Sequence, residues 1–310
     1  MDKLDAVPAF SLRQLTYFLV AAEEGTISSA AARLHVSQSA ISLAITELER
    51  ALKVQLCVRR KAHGITLTPS GTQVLHHARA LLRHATELQA ESAGSPDELS
   101  GRLAMGCYPT LAPTVLPHLL HGFSTRHPRV TVDFTEGAQD ALQQSLLTGE
   151  LDLAVLYDME IQPEIVQVEL YRRAPHVVLP AAHPLAALNE VALRDLADEP
   201  MILLDSSPSS HHTLRMCADA GIKPLVRHRT SSFETARSLV GRGLGYAVQI
   251  QRPANDRTYE GLPVVHRAIA ELRGYEVAVL LAWPRHTRLS RRAASLIAFC
   301  QETLSDDVPI

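Results

Sequence analysis

Residues 26–71 read TISSAAARLHVSQSAISLAITELERALKVQLCVRRKAHGITLTPSG, and the order of parts in this stretch decides the fold of the first third of the chain. Two short helical segments with small-residue faces are separated by a tight turn. In the first, Ala30, Ala31 and Leu34 permit close helix–helix approach, with Ser28 as a candidate cap. The second begins at Ser37 and carries Ile41, Ile45, Leu48 and Leu52 on one face, which leaves Gln38, Ser39, Ser42 and Thr46 opposite. Short polar side chains near a helix N-terminus suit base edges and phosphates, because they donate and accept without filling a groove. Working outward, Leu12, Leu15, Phe18, Leu19 and Ala22 fall at steps of three and four, so an earlier helix precedes, ended by Gly25. On the other side Arg59, Arg60 and Lys61 precede a His63-Gly64 turn and the alternating Ile65 and Leu67, a hairpin whose basic tip would lie along a phosphate backbone. Any one of these helices alone reads as part of a small helical core. Together, in this order, they predict a winged helix-turn-helix that puts one helix into the major groove of DNA. The expected DNA contacts are Ser28, Ser29, Ser37, Gln38, Ser39, Ser42, Arg59, Arg60 and Lys61.

A longer helix follows. Thr68 is a good cap and Pro69 a good first helical residue. Leu75, Ala78, Leu82 and Ala85 follow a three-four alternation, broadened by Leu81 and Leu88. About two heptads are too short to hold a coiled coil alone but suffice to pack against a twin. Gly94-Ser95-Pro96-Asp97 breaks the helix and marks a domain boundary.

From residue 101 the pattern changes. Strand-like Leu103–Cys107, a helix over 111–125, strand-like Val130–Phe134, a helix over 139–148 and strand-like Leu151–Leu156 alternate. A second cycle runs through Val177–Leu179, Met201–Leu204, helix 209–220, strand 225–230, helix 233–241 and strand 245–250. The tail closes with Val277–Trp283 and a helix from about 290 to 304. Strands alternating with helices predict parallel βαβ units. Two α/β lobes joined by two crossovers account for the order, and about 210 residues suit such a pair.

The chain resembles the LysR-type transcriptional regulators. The carriers are Leu12-Arg13-Gln14-Leu15, Ala30-Ala31-Ala32-Arg33-Leu34, Val36-Ser37-Gln38-Ser39-Ala40-Ile41-Ser42, Leu48-Glu49 and Leu67-Thr68-Pro69-Ser70-Gly71. Farther on, Gly149-Glu150-Leu151-Asp152-Leu153-Ala154, Leu179-Pro180-Ala181-Ala182-His183-Pro184-Leu185 and Gly241-Arg242-Gly243-Leu244-Gly245 extend the likeness over nearly the whole chain. The resemblance implies an α/β protein with an N-terminal winged helix-turn-helix over 1–68 and a linker and dimerisation helix over 69–95. A bilobal periplasmic-binding-protein-like effector domain would fill 96–310. Its first lobe is expected over about 101–162 and 268–310, its second over about 163–267. The resemblance further implies a cytoplasmic homodimer assembling to a homotetramer, with double-stranded promoter DNA, RNA polymerase and a small-molecule effector as partners and no other cofactor. Two positions depart from the family's habit. Leu43 stands where many members carry arginine, and Cys57 where phenylalanine is usual, so the recognition helix has no basic residue before Arg50.

The effector is expected between the lobes, where strand ends and helix N-termini converge. Helix N-termini present unpaired N–H groups and partial positive charge, which favours an organic anion. The candidate wall is Tyr108, Pro109 and Thr110 in the first lobe and Ser206, Ser207, Ser209 and Ser210 in the second. Gly137, Ala138, Gln139, His211, Phe233, Gln249 and Ile250 join them. Thr110 leads, by its match to the family's ligand-contacting hydroxyl. Each serine is equally a plain helix cap.

Other chemistry is weaker. Ser209-Ser210-His211-His212 is too compressed for a catalytic triad, and no Gly-x-Ser-x-Gly elbow is present. The glycines at 241, 243 and 245 precede a strand rather than open a helix, so they form no dinucleotide loop. Fifteen histidines give no spacing that marks a metal site. The four cysteines, at 57, 107, 217 and 300, show no paired spacing. With no signal peptide and no apolar run near 18 residues, they read as apolar fillers in a reducing cytoplasm. Redox sensors of the resembled family use two close cysteines in the second lobe, where only Cys217 falls. Residues 1–95 carry ten Lys plus Arg against eight Asp plus Glu, a net of +2, and the rest carries −5. That small basic excess predicts binding that leans on geometry and a paired site. The alternatives to an effector-responsive regulator are an architectural DNA binder without an active effector site and an enzyme on the bilobal scaffold.

Overall fold

A computed structural model of the chain describes residues 8–60, 64–93, 99–285 and 287–304. They form two compact units, one carrying the elements up to residue 101 (with 147–150) and the other the remainder.

In the first unit, α1 (Leu12–Glu24) opens on a reciprocal cap. The Ser11 side chain accepts the Gln14 N–H, and the Gln14 side chain accepts the Ser11 N–H. It closes on Gly25 in the left-handed conformation at φ 69°. The cap of α2 (Ile27–Leu34) is Thr26 and not Ser28. Thr26 has the extended backbone a cap needs and accepts the Ser29 N–H, whereas Ser28 already lies within the helix. Ser37 caps α3 (Gln38–Leu52). Leu15, Phe18, Ala30, Ala31, Ile41, Ile45 and Leu48 meet in one core, to which Val20 and Ala21 contribute as well. Leu12, expected on the buried stripe, is exposed at the open end of α1.

β1 (Cys57–Arg60) and β2 (Gly64–Leu67) pair antiparallel as the wing. The N–H of Ile65 donates to Gly25 O at 2.7 Å, tying the wing to the end of α1. Thr68 then caps α4 (Pro69–Ala93) by accepting the Gly71 N–H at 2.9 Å. A Cβ on Gly71 would stand 2.0 Å from Leu56 O, so this turn admits only glycine. Leu75 and Ala78 of α4 enter the core, while Leu81 and Leu88 are exposed. The expected break at 94–97 lies outside the described residues.

In the second unit, β3 (Gly101–Cys107), α5 (Ala112–Arg126), β4 (Val130–Glu136), α6 (Gln139–Leu147) and β5 (Leu153–Tyr157) come first. β6 (Ile165–Arg173), β7 (His176–Pro180), β8 (Glu190–Val191), β9 (Pro200–Leu204) and α7 (Ser209–Asp219) follow. After them come β10 (Leu225–Thr230), α8 (Phe233–Gly241), β11 (Ala247–Gln249), β12 (Val264–Ile269), β13 (Val277–Pro284) and α9 (Arg291–Thr303). The first lobe is a sheet in the order β4-β3-β5-β13-β6. β3 and β5 run parallel, and β13 is antiparallel to both β5 and β6. Asp152 pins β3 to β5, its carboxylate accepting the Ala104 N–H at 2.8 Å while its own N–H donates to Ala104 O. The second lobe has ladders β11-β7-β12-β8 and β10-β9. An isolated bridge between Met201 and Tyr246 joins them. Gly245 makes that approach possible, since a Cβ there would meet Pro200 O at 2.0 Å.

The lobe boundaries differ from the expected ones. β6 lies in the first lobe's sheet, paired with β13 along its whole length, so the first crossover is Ala174-Pro175 and not near residue 163. β12 pairs with β7, so the return crossover follows Ile269. Both segments escape the apolar pattern because β6 is an edge strand with Gln167 and Glu169 on its wet face, and β12 carries His266 and Arg267.

Candidate nucleic-acid interface and ligand cavity

The polar side of α3 is continuous with the start of α2. Gln38 Nε2 donates to Ser28 Oγ at 3.3 Å, and the Ser37 and Ser39 hydroxyls are bonded at 2.9 Å. Thr26 Oγ1 donates to the Ser29 hydroxyl at 2.9 Å. Ser28, Ser29, Ser37, Gln38 and Ser39 are exposed, and Ser42 is half-buried. These hydrogen bonds hold the hydroxyls and the Gln38 amide in place before any ligand arrives. Leu43 stands among them at 59 % exposure, a large apolar side chain on a polar face. Arg33 adds no free positive charge, because one guanidinium nitrogen is 3.0 Å from both Glu23 and Glu24, and those bonds raise its pKa. Arg59 and Arg60 pair in the wing through their backbones; their side chains and Lys61 lie outside what the structure describes.

Glu49 was assigned no role from the sequence. Its Oε1 accepts the Leu56 N–H at 2.8 Å and the Cys57 N–H at 3.1 Å. One carboxylate on the last turn of α3 therefore sets where the wing departs.

In the second unit a cavity of about 830 Å³ opens between the lobes. Pro109, Thr110, Pro113, Thr114, Pro117 and His118 line it from the first lobe, together with Glu136 at the end of β4. Ser231, Ser232, Phe233, Glu234, Gln251, Pro253 and Ala254 line it from the second. A second, smaller hollow of about 10 Å³, room for one water-sized group, shares Thr110, Phe233 and Gln251 with it. Tyr157, Ser209, Thr213, Gln249 and Ile250 are among its other walls. The Thr110 and Tyr157 hydroxyls are bonded at 2.9 Å. Burial drives the Tyr157 phenol far above its ordinary range, so it stays protonated.

Of the expected wall residues, Pro109, Thr110, Ser209, Phe233, Gln249 and Ile250 line one or both hollows, whereas the others have different places. Tyr108 is buried, its hydroxyl bonded to Ser209 Oγ at 2.9 Å and donating to Ser206 O. Gln139 is a staple for the end of β5, with Nε2 donating to the Tyr157 and Met159 carbonyls and Oε1 accepting the Tyr157 N–H. His211 is exposed beside Glu160. Gly137, Ala138, Ser206, Ser207 and Ser210 line neither hollow. The residues missed from the sequence are chiefly Pro113, Pro117, Glu136, Glu234 and Gln251. Pro109, Pro113 and Pro117 recur every fourth residue, a helical spacing that was available as a signal.

The first N–H groups of α5 are bonded within its own opening turn. The Leu111 and Ala112 N–H groups donate to Tyr108 O, Thr114 N–H donates to Leu111 O, and Pro113 has no N–H. Ser232 caps α8 by accepting the Thr235 N–H. From Leu111 to Thr114 the start of α5 therefore presents no free N–H to the cleft.

A cluster of buried titratable groups lies within the second lobe. The rings of His176 and His266 meet edge to face at 4.8 Å. Burial first, then the mutual pair for His176 and Arg252 for His266, holds both imidazoles well below their ordinary pKa. Arg237 is fully buried, with Nη2 donating to Arg257 O at 2.8 Å and Nε 3.2 Å from Glu234. All four cysteines are free and buried. Burial pushes the Cys217 thiol up to about 11. Among the described residues no group of three or more His, Cys, Asp or Glu is placed to hold a metal ion, and no helix is long and apolar enough to cross a membrane.

Comparison with known proteins matches residues 12–72 to the bacterial regulatory helix-turn-helix protein, lysR family, and residues 96–305 to the LysR substrate binding domain. A probable hydrogen peroxide-inducible genes activator of Mycobacterium avium is 36 % identical over 237 residues, 74 % of this chain and 75 % of that protein. The C-terminal domain of a probable LysR family transcriptional regulator from Rhodococcus sp. RHA1 is 49 % identical with a TM-score of 0.64, covering 65 % of this chain and 99 % of that one. HinK, a LysR family transcriptional regulator from Pseudomonas aeruginosa, is 34 % identical with a TM-score of 0.64, covering 96 % and 99 %.

Proposed function

The chain belongs to the LysR family of bacterial transcriptional regulators, and from that premise we propose that it is a cytoplasmic promoter-binding protein switched by a small molecule held between the lobes of its substrate-binding domain. Two chains pair through α4, where the exposed Leu81 and Leu88 supply an apolar stripe, and present two copies of α3 to successive major grooves of an inverted repeat. Ser28, Ser29, Ser37, Gln38, Ser39 and Ser42 meet base edges and phosphates, with Arg59, Arg60 and Lys61 on the backbone. A second pairing through the effector domains makes a tetramer that bends the DNA. A ligand that prefers one arrangement of the lobes shifts that bend and the contact with RNA polymerase, and it acts only through this difference in affinity.

The observation that carries the effector half of this reading is the cavity of about 830 Å³, a size suited to a small organic ligand, with buried polar groups on the small hollow that shares its walls. The peroxide response named for the Mycobacterium avium relative is not proposed for this chain. The thiolate is the reactive species, and burial holds Cys217 in its thiol form without a second cysteine in its lobe. Regulation rather than catalysis is the proposed activity.

Fluorescence anisotropy of the full chain on a DNA site selected from a random pool, repeated across a metabolite library, tests this. The expected result is a compound that changes specific affinity in the wild type and not in Pro113→Trp, which fills the cavity from an exposed position. DNA binding indifferent to every compound would instead favour the architectural reading.

A further inference from the structure

We propose that the ligand of the interlobe cavity is uncharged, an apolar ring or chain bearing one primary amide or hydroxyl head, and not an organic anion; this rests on the cavity being the effector site. Three independent features of the lining lead there.

The first is charge. Among the described residues no lysine or arginine lines either hollow, while Glu136 and Glu234 both line the large one. Arg237, the guanidinium adjoining Glu234, is engaged with that carboxylate and with the Asn255 and Arg257 carbonyls. A carboxylate entering here would shed water beside the Glu136 carboxylate and meet no lysine or arginine side chain in the lining. The second is the start of α5, whose N–H groups from Leu111 to Thr114 are bonded within the turn and offer an anion no free amide.

The third is a pair of buried amides. Gln251 is 3 % exposed and lines both hollows. Its amide stands against the Tyr157 hydroxyl, yet Nε2 has no partner of hydrogen-bonding geometry. Gln249, also 3 % exposed, spends Nε2 on Phe233 O and leaves Oε1 without a partner in the small hollow. One donor and one acceptor without partners, both on the walls of the small hollow, call for a head that both accepts and donates. A primary amide or a hydroxyl does both. A carboxylate cannot donate, and an ammonium cannot accept. The body of the ligand would lie between the prolines at 109, 113, 117 and 253 and the Phe233 ring.

The test is direct binding of four probes with one ring and different heads, namely benzamide, benzyl alcohol, benzoate and benzylammonium. They are titrated into the full chain without DNA and followed by ligand-observed NMR and thermal shift. Benzamide and benzyl alcohol should bind, with benzoate weaker by about tenfold or more, as expected for a charge desolvated beside a like charge. Gln251→Leu should reduce benzamide binding. Glu136→Gln, at an exposed position of the lining, should narrow the gap between benzamide and benzoate. Benzoate or benzylammonium binding as well as benzamide would overturn the proposal, as would binding by none of the four. The effector reading fails separately. A library compound that shifts DNA affinity through the cavity while all four probes are silent would refute the class of ligand and keep the effector site. Benzamide that binds without altering DNA affinity would keep the site's chemistry and refute the regulatory role.

Discussion

Removing the Glu49 carboxylate should loosen the wing without disturbing the helical core. In Glu49→Ala the Leu56 and Cys57 N–H groups lose an acceptor at 2.8 and 3.1 Å. Both residues are buried, so water replaces the lost bonds poorly. Hydrogen bonds to a charged group contribute about 1.5–3 kcal/mol each; with partial water access from half-buried Glu49, the loss should total about 2–4 kcal/mol. Glu49→Gln keeps an acceptor of the same reach and should lose about half as much. The assay is urea unfolding of the full chain beside DNA anisotropy at several salt concentrations. Because the wing is expected to hold phosphates rather than read bases, affinity should fall on specific and random DNA alike and the salt slope should flatten. A stability change below about 0.5 kcal/mol, the ordinary range for surface substitutions, would refute the reasoning. A loss confined to specific DNA would show that Glu49 organises base contacts instead.

Gln38→Ala should weaken specific DNA by about 1–3 kcal/mol and random DNA far less, and equal losses would remove its base-reading role. Leu43→Arg adds a cation to an exposed position of α3. It should strengthen binding to specific and random DNA together and steepen the salt slope by about one phosphate contact, which anisotropy against salt concentration checks. His176 and His266 are held neutral by burial, at about 3 and about 4, whereas unfolded histidines titrate near about 6.5. Between those values the unfolded chain binds more protons, so stability should fall as pH drops below about 6.5 and level off above it. In His266→Phe the urea midpoint should vary less steeply between about pH 4 and pH 6.5, and an unchanged slope would argue that the pair does not carry the effect. Cys217 should resist alkylation in the native chain at neutral pH and react only on unfolding, as mass spectrometry after a brief iodoacetamide pulse would reveal.

The winged module was legible because its determinants are local. Apolar spacing places Ile41, Ile45 and Leu48 inward, and single residues such as Ser37, Thr68 and Gly25 end or begin helices by their own side-chain chemistry. The second unit was legible strand by strand where both faces are buried, as in β5 and β13, and illegible at β6, whose one wet face breaks the run. The cavity was half legible. Thr110, Phe233 and Gln249 sit where strands hand over to loops or helices, a placement that order alone predicts. Glu136, Glu234 and Gln251 face one space only through tertiary packing, which no local pattern encodes. Gln139 shows the opposite error. A glutamine opening a helix offers the same two polar groups to a ligand or to a neighbouring strand, and here the strand end takes them.

The two crossovers have a mechanical consequence. A body hung from one strap swings in every direction, but two straps leave it free chiefly to rotate about the line through both. The lobes are joined at Ala174-Pro175 and again by the segment after Ile269 that leads into β13. Both junctions flank β13 within the sheet order, because β6 beside it enters one crossover and β13 itself leaves the other. Relative movement of the lobes is thereby reduced to nearly one coordinate, with an axis beside the β6–β13 edge. Any occupant of the hollow, whatever its shape, registers on the same dial. Such a domain can report how far it is open, and hardly anything else.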